Sequence, residues 1–135
     1  MKEGDRERRE ELLADLRNLD LDRRAVCLME ADLEQFAEDR KQKGLSAGQQ
    51  RDLEEKCEQL ETALRLTRNH IGRMERLLQQ LDREEQRIVE LMLIRPYSGC
   101  AFDLQDELKM EKSCLYRHRA DAISRLLRLR YGAAG

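Results

Sequence analysis

Positive charge is concentrated at the C-terminal end of the chain. From residue 112 to the end there are six Lys or Arg residues and one acid, Asp121, a local balance of +5 in a chain whose formal net charge is -2. Lys and Arg are the side chains with which proteins contact phosphate, and the Arg guanidinium also donates two parallel hydrogen bonds to a guanine edge. The residue types in this stretch therefore suit contacts with a nucleic acid.

The spacing of apolar residues places these cations on the second helix of a predicted helix-turn-helix. Leu104 and Leu108 lie four residues apart on a short first helix. The turn is Lys109-Met110-Glu111, with Met110 pointing inward. On the second helix the apolar positions repeat at helical spacing, at Leu115, Ala122, Ile123 and Leu126. Polar and basic side chains fall on the opposite face of that helix.

We expect five side chains of this helix to form the DNA-binding site: Lys112, Ser113, Tyr116, Arg117 and Arg119. An α-helix fits the major groove, where its first turns meet base edges. Lys112, Ser113 and Arg117 are the candidates for base edges, and Tyr116 and Arg119 are better placed for the DNA backbone. The more distal Arg125, Arg128 and Arg130 also fit a second interpretation, in which they balance charge at the helix C-terminus.

The order of residues in this region resembles region four of bacterial sigma factors. The resemblance rests on Met110 in the turn, on Lys112-Ser113-x-Leu115-Tyr116-Arg117, on Ala122-Ile123-x-x-Leu126, and on the lead-in Leu81-Asp82-x-Glu84-Glu85-x-x-Ile88-Val89-x-Leu91. Within that group it is similar to the small phage-borne late transcription regulators of the ArpU and RinA kind, and it covers about 50 of the 135 residues. The resemblance implies a DNA-binding C-terminal domain behind a helical N-terminal part. Two departures concern the turn: Lys109 stands where such turns often carry Gly, and Gln105 where a small residue is usual.

Composition predicts an all-α protein. The chain has one Pro, seven Gly and 40% charged residues, and it lacks runs of β-branched residues. We expect a first helix over residues 5–19, an interruption at Asp20-Leu21-Asp22 and a second helix over residues 23–43. Gly44 suits the end of that helix, and Ser46-x-x-Gln49 matches a capping box that starts the next one.

The most regular pattern is a heptad seam in the middle of the chain. It consists of Leu53, Cys57, Leu60, Leu64, Thr67, Ile71, Met74, Leu78 and Leu81, at alternating spacings of four and three residues. Its partner is either the helix over residues 23–43 of the same chain or the same helix of a second chain, as in a homodimer. The next seam position would be Glu85, so we place a domain boundary there: residues 1–81 form a coiled-coil or oligomerisation region, and residues 82–135 form a three-helix helix-turn-helix domain that folds on its own.

Several classes of function are not indicated by the sequence. We expect no enzyme, because the acids alternate with bases along helix faces and no catalytic motif is present. The four cysteines include no C-x-x-C pair and the two histidines are not at ligand spacing with them, so we expect no metal and no cofactor. The N-terminus is charged and no apolar run reaches ten residues, so we expect a cytoplasmic protein that does not bind membranes.

These patterns lead to the hypothesis of a sequence-specific transcription regulator, encoded by a phage or prophage, that binds double-stranded DNA. A single helix-turn-helix contacts few base pairs, so tight binding requires a second copy or a second tether such as RNA polymerase. Two alternatives stay open: a DNA-recognition subunit similar to small terminase, and a coiled-coil adaptor that does not bind DNA. The target sequence and the choice between activation and repression do not follow from the residues.

Overall fold

The computed structural model of the chain describes residues 3–132. The helices are α1 (Glu3–Arg40), α2 (Ala47–Leu78), α3 (Arg83–Val89), α4 (Cys100–Leu108) and α5 (Lys112–Tyr131), and α3 continues into a π-helical turn over Glu90–Ile94. No strand occurs within these residues. The prediction of an all-α protein is confirmed.

Helix α1 runs without a break through the predicted interruption, so the expectation of two helices over residues 5–19 and 23–43 is wrong. A capping Asp requires extended backbone at its own position, whereas Asp inside a helix costs less than about 1 kcal/mol relative to Ala. Burial of Leu19 just before this point, together with half-burial of Val26 and Met29 after it, outweighs that cost. The helix also ends earlier than expected, at Arg40, and Gly44 follows in the left-handed conformation with φ +88°.

Residues 21–72 form one of the two compact units. Ion pairs join α1 to α2 within this unit: Arg40 Nη2 lies 3.6 Å from Glu54 Oε1, and Arg68 Nη2 lies 2.7 Å from Glu30 Oε1. Cys57 and Leu64 of the seam are buried, and Leu64 lines a surface groove together with Leu33 of α1. The groove and the ion pairs place α1 of the same chain beside the seam of α2 in this unit.

The predicted capping box at the start of α2 is confirmed. The backbone N–H of Gln49 donates to Ser46 Oγ at 3.1 Å, and the backbone N–H of Ser46 donates to Gln49 Oε1 at 2.9 Å. Two of the otherwise unpaired donors at a helix N-terminus are thereby satisfied by side chains. Two residues three positions apart, Ser46 and Gln49, were therefore enough to predict where α2 begins.

The other compact unit combines residues 3–20 with residues 73–132. Three leucines of its α1 segment, Leu12, Leu16 and Leu19, have no exposed surface. The predicted boundary between residues 81 and 82 separates residues that lie in this one unit. Periodicity within α1 shows which face is apolar but not what covers it, so the sequence offered no means of grouping residues 3–20 with the C-terminal helices.

Helix α3 begins at a second capping box. The backbone N–H of Glu85 donates to Asp82 Oδ1 at 2.8 Å, and the backbone N–H of Asp82 donates to Glu85 Oε1 at 3.3 Å. Asp82-x-x-Glu85 has the residue types and the spacing of a capping box. After the π-helical turn the chain leaves the helical conformation at Arg95, and Pro96 follows at the position where a helix cannot continue.

A small three-helix core holds α3, α4 and α5 together. Its centre is formed by Ile88 of α3, Leu104 of α4 and Leu115 of α5, which are fully buried. Partly buried apolar side chains surround it, namely Leu91, Met92, Ala101, Leu108 and Met110. Met110 therefore points inward as expected, and Leu91 and Met92 support the two following helices.

Candidate nucleic-acid interface

The turn between α4 and α5 is tight and depends on one unusual residue. Lys109 ends α4 in the left-handed conformation, with φ 56° and ψ 48°. In that conformation the backbone N–H of Met110 donates to the carbonyl oxygen of Gln105 at 3.1 Å, which satisfies a carbonyl at the end of α4. Glycine is favoured at such positions because it has no Cβ. The backbone at position 109 therefore favours glycine, although the chain has Lys there.

The first two turns of α5 present polar side chains to solvent. Lys112, Ser113, Tyr116 and Arg117 are exposed, whereas Arg119 is half-buried. Leu115, between them, is fully buried and fixes which face of α5 is turned inward. Arg117 Nη2 lies 3.7 Å from Cys114 Sγ, a weak contact within the same helix. Four of the five predicted DNA-binding residues therefore form an exposed patch, and Arg119 lies at its margin.

Two of the distal cations of α5 have acidic partners within the same compact unit. Arg125 Nη1 donates to the buried carboxylate of Glu85. Arg130 Nη2 lies 2.5 Å from Asp15 Oδ2 and 3.6 Å from Glu11 Oε1, both on α1. These two cations hold α5 in place inside the molecule. Arg125 and Arg130 therefore do more than balance charge at the helix C-terminus, because each pairs with a carboxylate of another helix.

The C-terminal residue of α5 is held by one of the same acids, Glu11, and by a further cation. The Tyr131 hydroxyl donates to Glu11 Oε2 at 2.9 Å, and the Arg8 guanidinium carbon lies 5.4 Å from the centre of the tyrosine ring. Partial burial, together with the bond to Glu11, raises the pKa of Tyr131. The end of the predicted recognition helix is thus fixed against the beginning of α1.

The sequence did not predict the ion pair that Glu85 forms with Arg125. The Glu85 side chain is only 3% exposed, although it is ionisable and lies in the first turn of α3. The pKa of the neighbouring Asp82 is lowered chiefly because the backbone N–H of Glu85 donates to its carboxylate, with Arg125 and His118 adding positive charge. The heptad pattern indicates this burial, because Glu85 occupies the next seam position after Leu81.

Acidic residues confine the basic patch to α5. The exposed side of α4 carries Asp103, Asp106 and Glu107. The guanidinium of Arg87 binds Glu107 with two nitrogens and lowers the pKa of that carboxyl, while the Tyr97 hydroxyl donates to Asp103 Oδ2 at 2.6 Å. Carboxylates near a phosphate backbone are repulsive, so these acids disfavour contact of α4 with a nucleic acid.

The cysteines lie in separate parts of the chain and form no disulfide among the described residues: Cys27 is exposed, Cys57 is buried, and Cys100 and Cys114 are half-buried. Within residues 3–132 no group of three or more His, Cys, Asp or Glu side chains is arranged to hold a metal ion. Nor does any helix in this range have the length and apolar character needed to cross a bilayer.

Comparison of the chain with models of protein families, with curated proteins and with solved structures finds no match.

Proposed function

We propose that this protein is a sequence-specific transcription regulator that inserts the N-terminal half of α5 into the major groove of double-stranded DNA. The observation that carries the proposal is the exposed group Lys112, Ser113, Tyr116 and Arg117 on the second helix of a compact pair. The first turns of such a helix are the part that meets base edges in helix-turn-helix proteins.

The distribution of cation partners supports a division of labour along α5. Arg125 and Arg130 are bound by carboxylates of α3 and α1, whereas Lys112 and Arg117 extend from the exposed first turns. A guanidinium at position 117 suits the O6 and N7 acceptors of guanine, and Lys112 at the helix start suits a base edge or a nearby phosphate. Tyr116 and Arg119 are suited to the DNA backbone at the margin of the patch.

The resemblance to region four of sigma factors and to phage late regulators of the ArpU and RinA kind belongs to the same proposal. It rests on the residues of the turn and of α5, and it extends the proposal to a phage or prophage gene and to a C-terminal helix-turn-helix domain behind N-terminal helices. A homodimer on two half-sites, or RNA polymerase as a second tether, would supply the contacts that one helix-turn-helix lacks.

The test compares two arginines of the same helix. Duplexes are first selected from a random-sequence pool by the full chain, and the affinities of Arg117→Ala and Arg128→Ala are then measured at fixed salt. Loss of a bidentate base contact should cost Arg117→Ala about 1 to 3 kcal/mol on the selected site. Arg128→Ala is the matched control, because Arg128 is also exposed on α5 but lies three turns further on. Equal affinities of both variants for the selected site would refute the assignment.

Sedimentation and the outcome of the selection separate this proposal from a small-terminase-like subunit and from a coiled-coil adaptor. Sedimentation of the full chain with the selected duplex distinguishes a monomer or dimer on one site from the large ring expected of a small-terminase-like subunit. If the chain enriches no sequence from the pool and shifts no duplex at low salt, the proposal fails and a coiled-coil adaptor becomes the better hypothesis.

A further inference from the structure

The ion pair between α3 and α5 joins the supporting helix to the proposed recognition helix at a single carboxylate. Glu85 Oε1 accepts from the backbone N–H of Asp82 at 3.3 Å and also from Arg125 Nη1. The Glu85 side chain is 3% exposed, and that of Arg125 is 50% exposed. One buried oxygen atom thus connects the N-terminal capping box of α3 to the middle of α5.

A buried carboxylate needs a partner of opposite charge, because transfer of an unpaired charge out of water is strongly unfavourable. Glu85 cannot turn toward solvent without breaking the capping box that starts α3. Its position is therefore set by the backbone of α3, and Arg125 must approach it from a defined direction. The strength of this charged hydrogen bond depends on the relative orientation of α3 and α5, whereas that of the surrounding apolar contacts does not.

The location of Arg125 along α5 separates it from the exposed patch. It follows Arg117 by eight residues, which corresponds to about 12 Å along the helix and a rotation of roughly 80°. The apolar core of Ile88, Leu104 and Leu115 holds α5 against α3 and α4 but resists a small rotation of α5 only weakly, since apolar burial is not directional. A charged hydrogen bond on one side of the helix opposes that rotation.

We infer that Glu85 and Arg125 are positioning residues for DNA recognition: their bond sets the rotation of α5 on α3, so that Lys112 and Arg117 meet base edges. The inference rests on the proposed function. It deepens that function by assigning the second basic half of α5 to orientation and not to contact with DNA. Glu85, on a different helix and almost without exposed surface, becomes a determinant of sequence preference.

The test measures both affinity and the number of ions released on binding. Glu85→Gln and Arg125→Gln each remove the charged bond, and Gln at position 85 keeps an oxygen for the capping box. Each variant is expected to bind the selected duplex about tenfold more weakly, which corresponds to the loss of one well-formed base contact. The double variant should lose no more than either single variant, and Arg125→Lys, which keeps the charge, should recover part of the affinity.

The salt dependence distinguishes positioning from contact. An Arg that neutralises a phosphate contributes about 0.9 to the slope of log affinity against log salt. The slope is therefore expected to stay at the wild-type value in Glu85→Gln and Arg125→Gln, whereas Arg117→Gln is expected to abolish the preference for the selected sequence. A slope reduced by about 0.9 in Arg125→Gln would overturn the inference, because Arg125 would then contact DNA. Wild-type affinity in Glu85→Gln would overturn it as well.

A measurement without DNA keeps this inference separable from the proposed function. Amide hydrogen exchange over residues 115–118 reports how firmly the beginning of α5 is held on α3. Faster exchange there in Glu85→Gln, at a temperature where both proteins are folded, is expected if the pair orients α5, and unchanged exchange would refute the orientation. If the wild-type chain binds no DNA, the proposed function fails, while the exchange result still decides whether the pair orients this helix.

Discussion

Replacement of Leu16 by Ala tests whether the beginning of α1 is part of the unit that carries α5. Leu16 has no exposed surface and lies between two equally buried leucines, Leu12 and Leu19. Removal of a fully buried leucine side chain costs the lost transfer free energy and leaves a cavity, together about 2.5 to 5 kcal/mol. A typical small protein has only about 5 to 15 kcal/mol of stability in total, so this loss is large.

The matched control is Leu21→Ala. Leu21 lies on the same helix five residues later and is 59% exposed, so its removal should change stability by less than about 0.5 kcal/mol. Both variants preserve helix propensity, because Ala is the best helix former. The pair therefore separates burial from any effect on the formation of α1.

Amide hydrogen exchange is the suitable assay, because the chain has two compact units and a single melting curve would average them. The amides of Ile88, Leu115 and Ile123 lie in the core of α3 and α5. A loss of about 2.5 kcal/mol speeds the exchange of such amides by roughly 60-fold when they exchange through opening of the whole unit. Unchanged exchange at these sites in Leu16→Ala would refute the grouping of residues 3–20 with the C-terminal helices.

Three further predictions follow from the turn, the cap and the unit. Lys109→Gly should raise the free energy of unfolding, measured with denaturant, by about 0.5 to 1 kcal/mol, because Gly adopts positive φ without a Cβ clash. Lys109→Ala is the control. An equal gain in Lys109→Ala would show that loss of the lysine charge, and not the backbone conformation, causes the stabilisation. The pKa of Asp82 is lowered in the folded state, so its contribution to stability is present above the unfolded pKa, near 4, and is lost as pH falls through the folded pKa. Asp82→Asn keeps the cap and should therefore lose less stability in acid than the wild-type chain. An unaltered dependence of stability on acid pH would contradict this. A fragment of residues 82–135 should stay helical but melt at a temperature well below that of the full chain, because Arg130 loses its partners Asp15 and Glu11. The fragment should also bind the selected duplex more weakly at fixed salt. Equal melting and equal affinity would show that residues 3–20 are dispensable.

Local features of the fold were predictable from the residues. Both capping boxes, at Ser46 and at Asp82, follow from pairs of side chains three residues apart. The turn at Lys109 and the inward position of Met110 follow from apolar spacing on either side of it. In each case the residues that decide the structure are neighbours in sequence, so a short window contains the whole cause.

The candidate site was predictable only in part. Exposure of Lys112, Ser113, Tyr116 and Arg117 follows from their position opposite the apolar stripe of α5. Half-burial of Arg119 does not follow, because it depends on which neighbouring elements pack beside α5. Likewise, an Arg in the last turns of a helix is compatible with charge balance alone, and only the presence of Glu85 near Arg125 assigns it a partner.

The helical class, the capping boxes at Ser46 and Asp82, the turn at Lys109 and the polar face of α5 follow from the residues alone, since each depends on propensity or on spacing within a short stretch of chain. The continuation of α1 through Asp20 and Asp22, and the grouping of its beginning with α5, follow from how the helices pack. The decisive contacts join residues far apart along the chain: Arg125 and Glu85 are separated by 40 positions, and Arg130 and Asp15 by 115. Periodicity gives the direction of a side chain relative to its own helix. The identity of the group that it meets is set by how the helices pack.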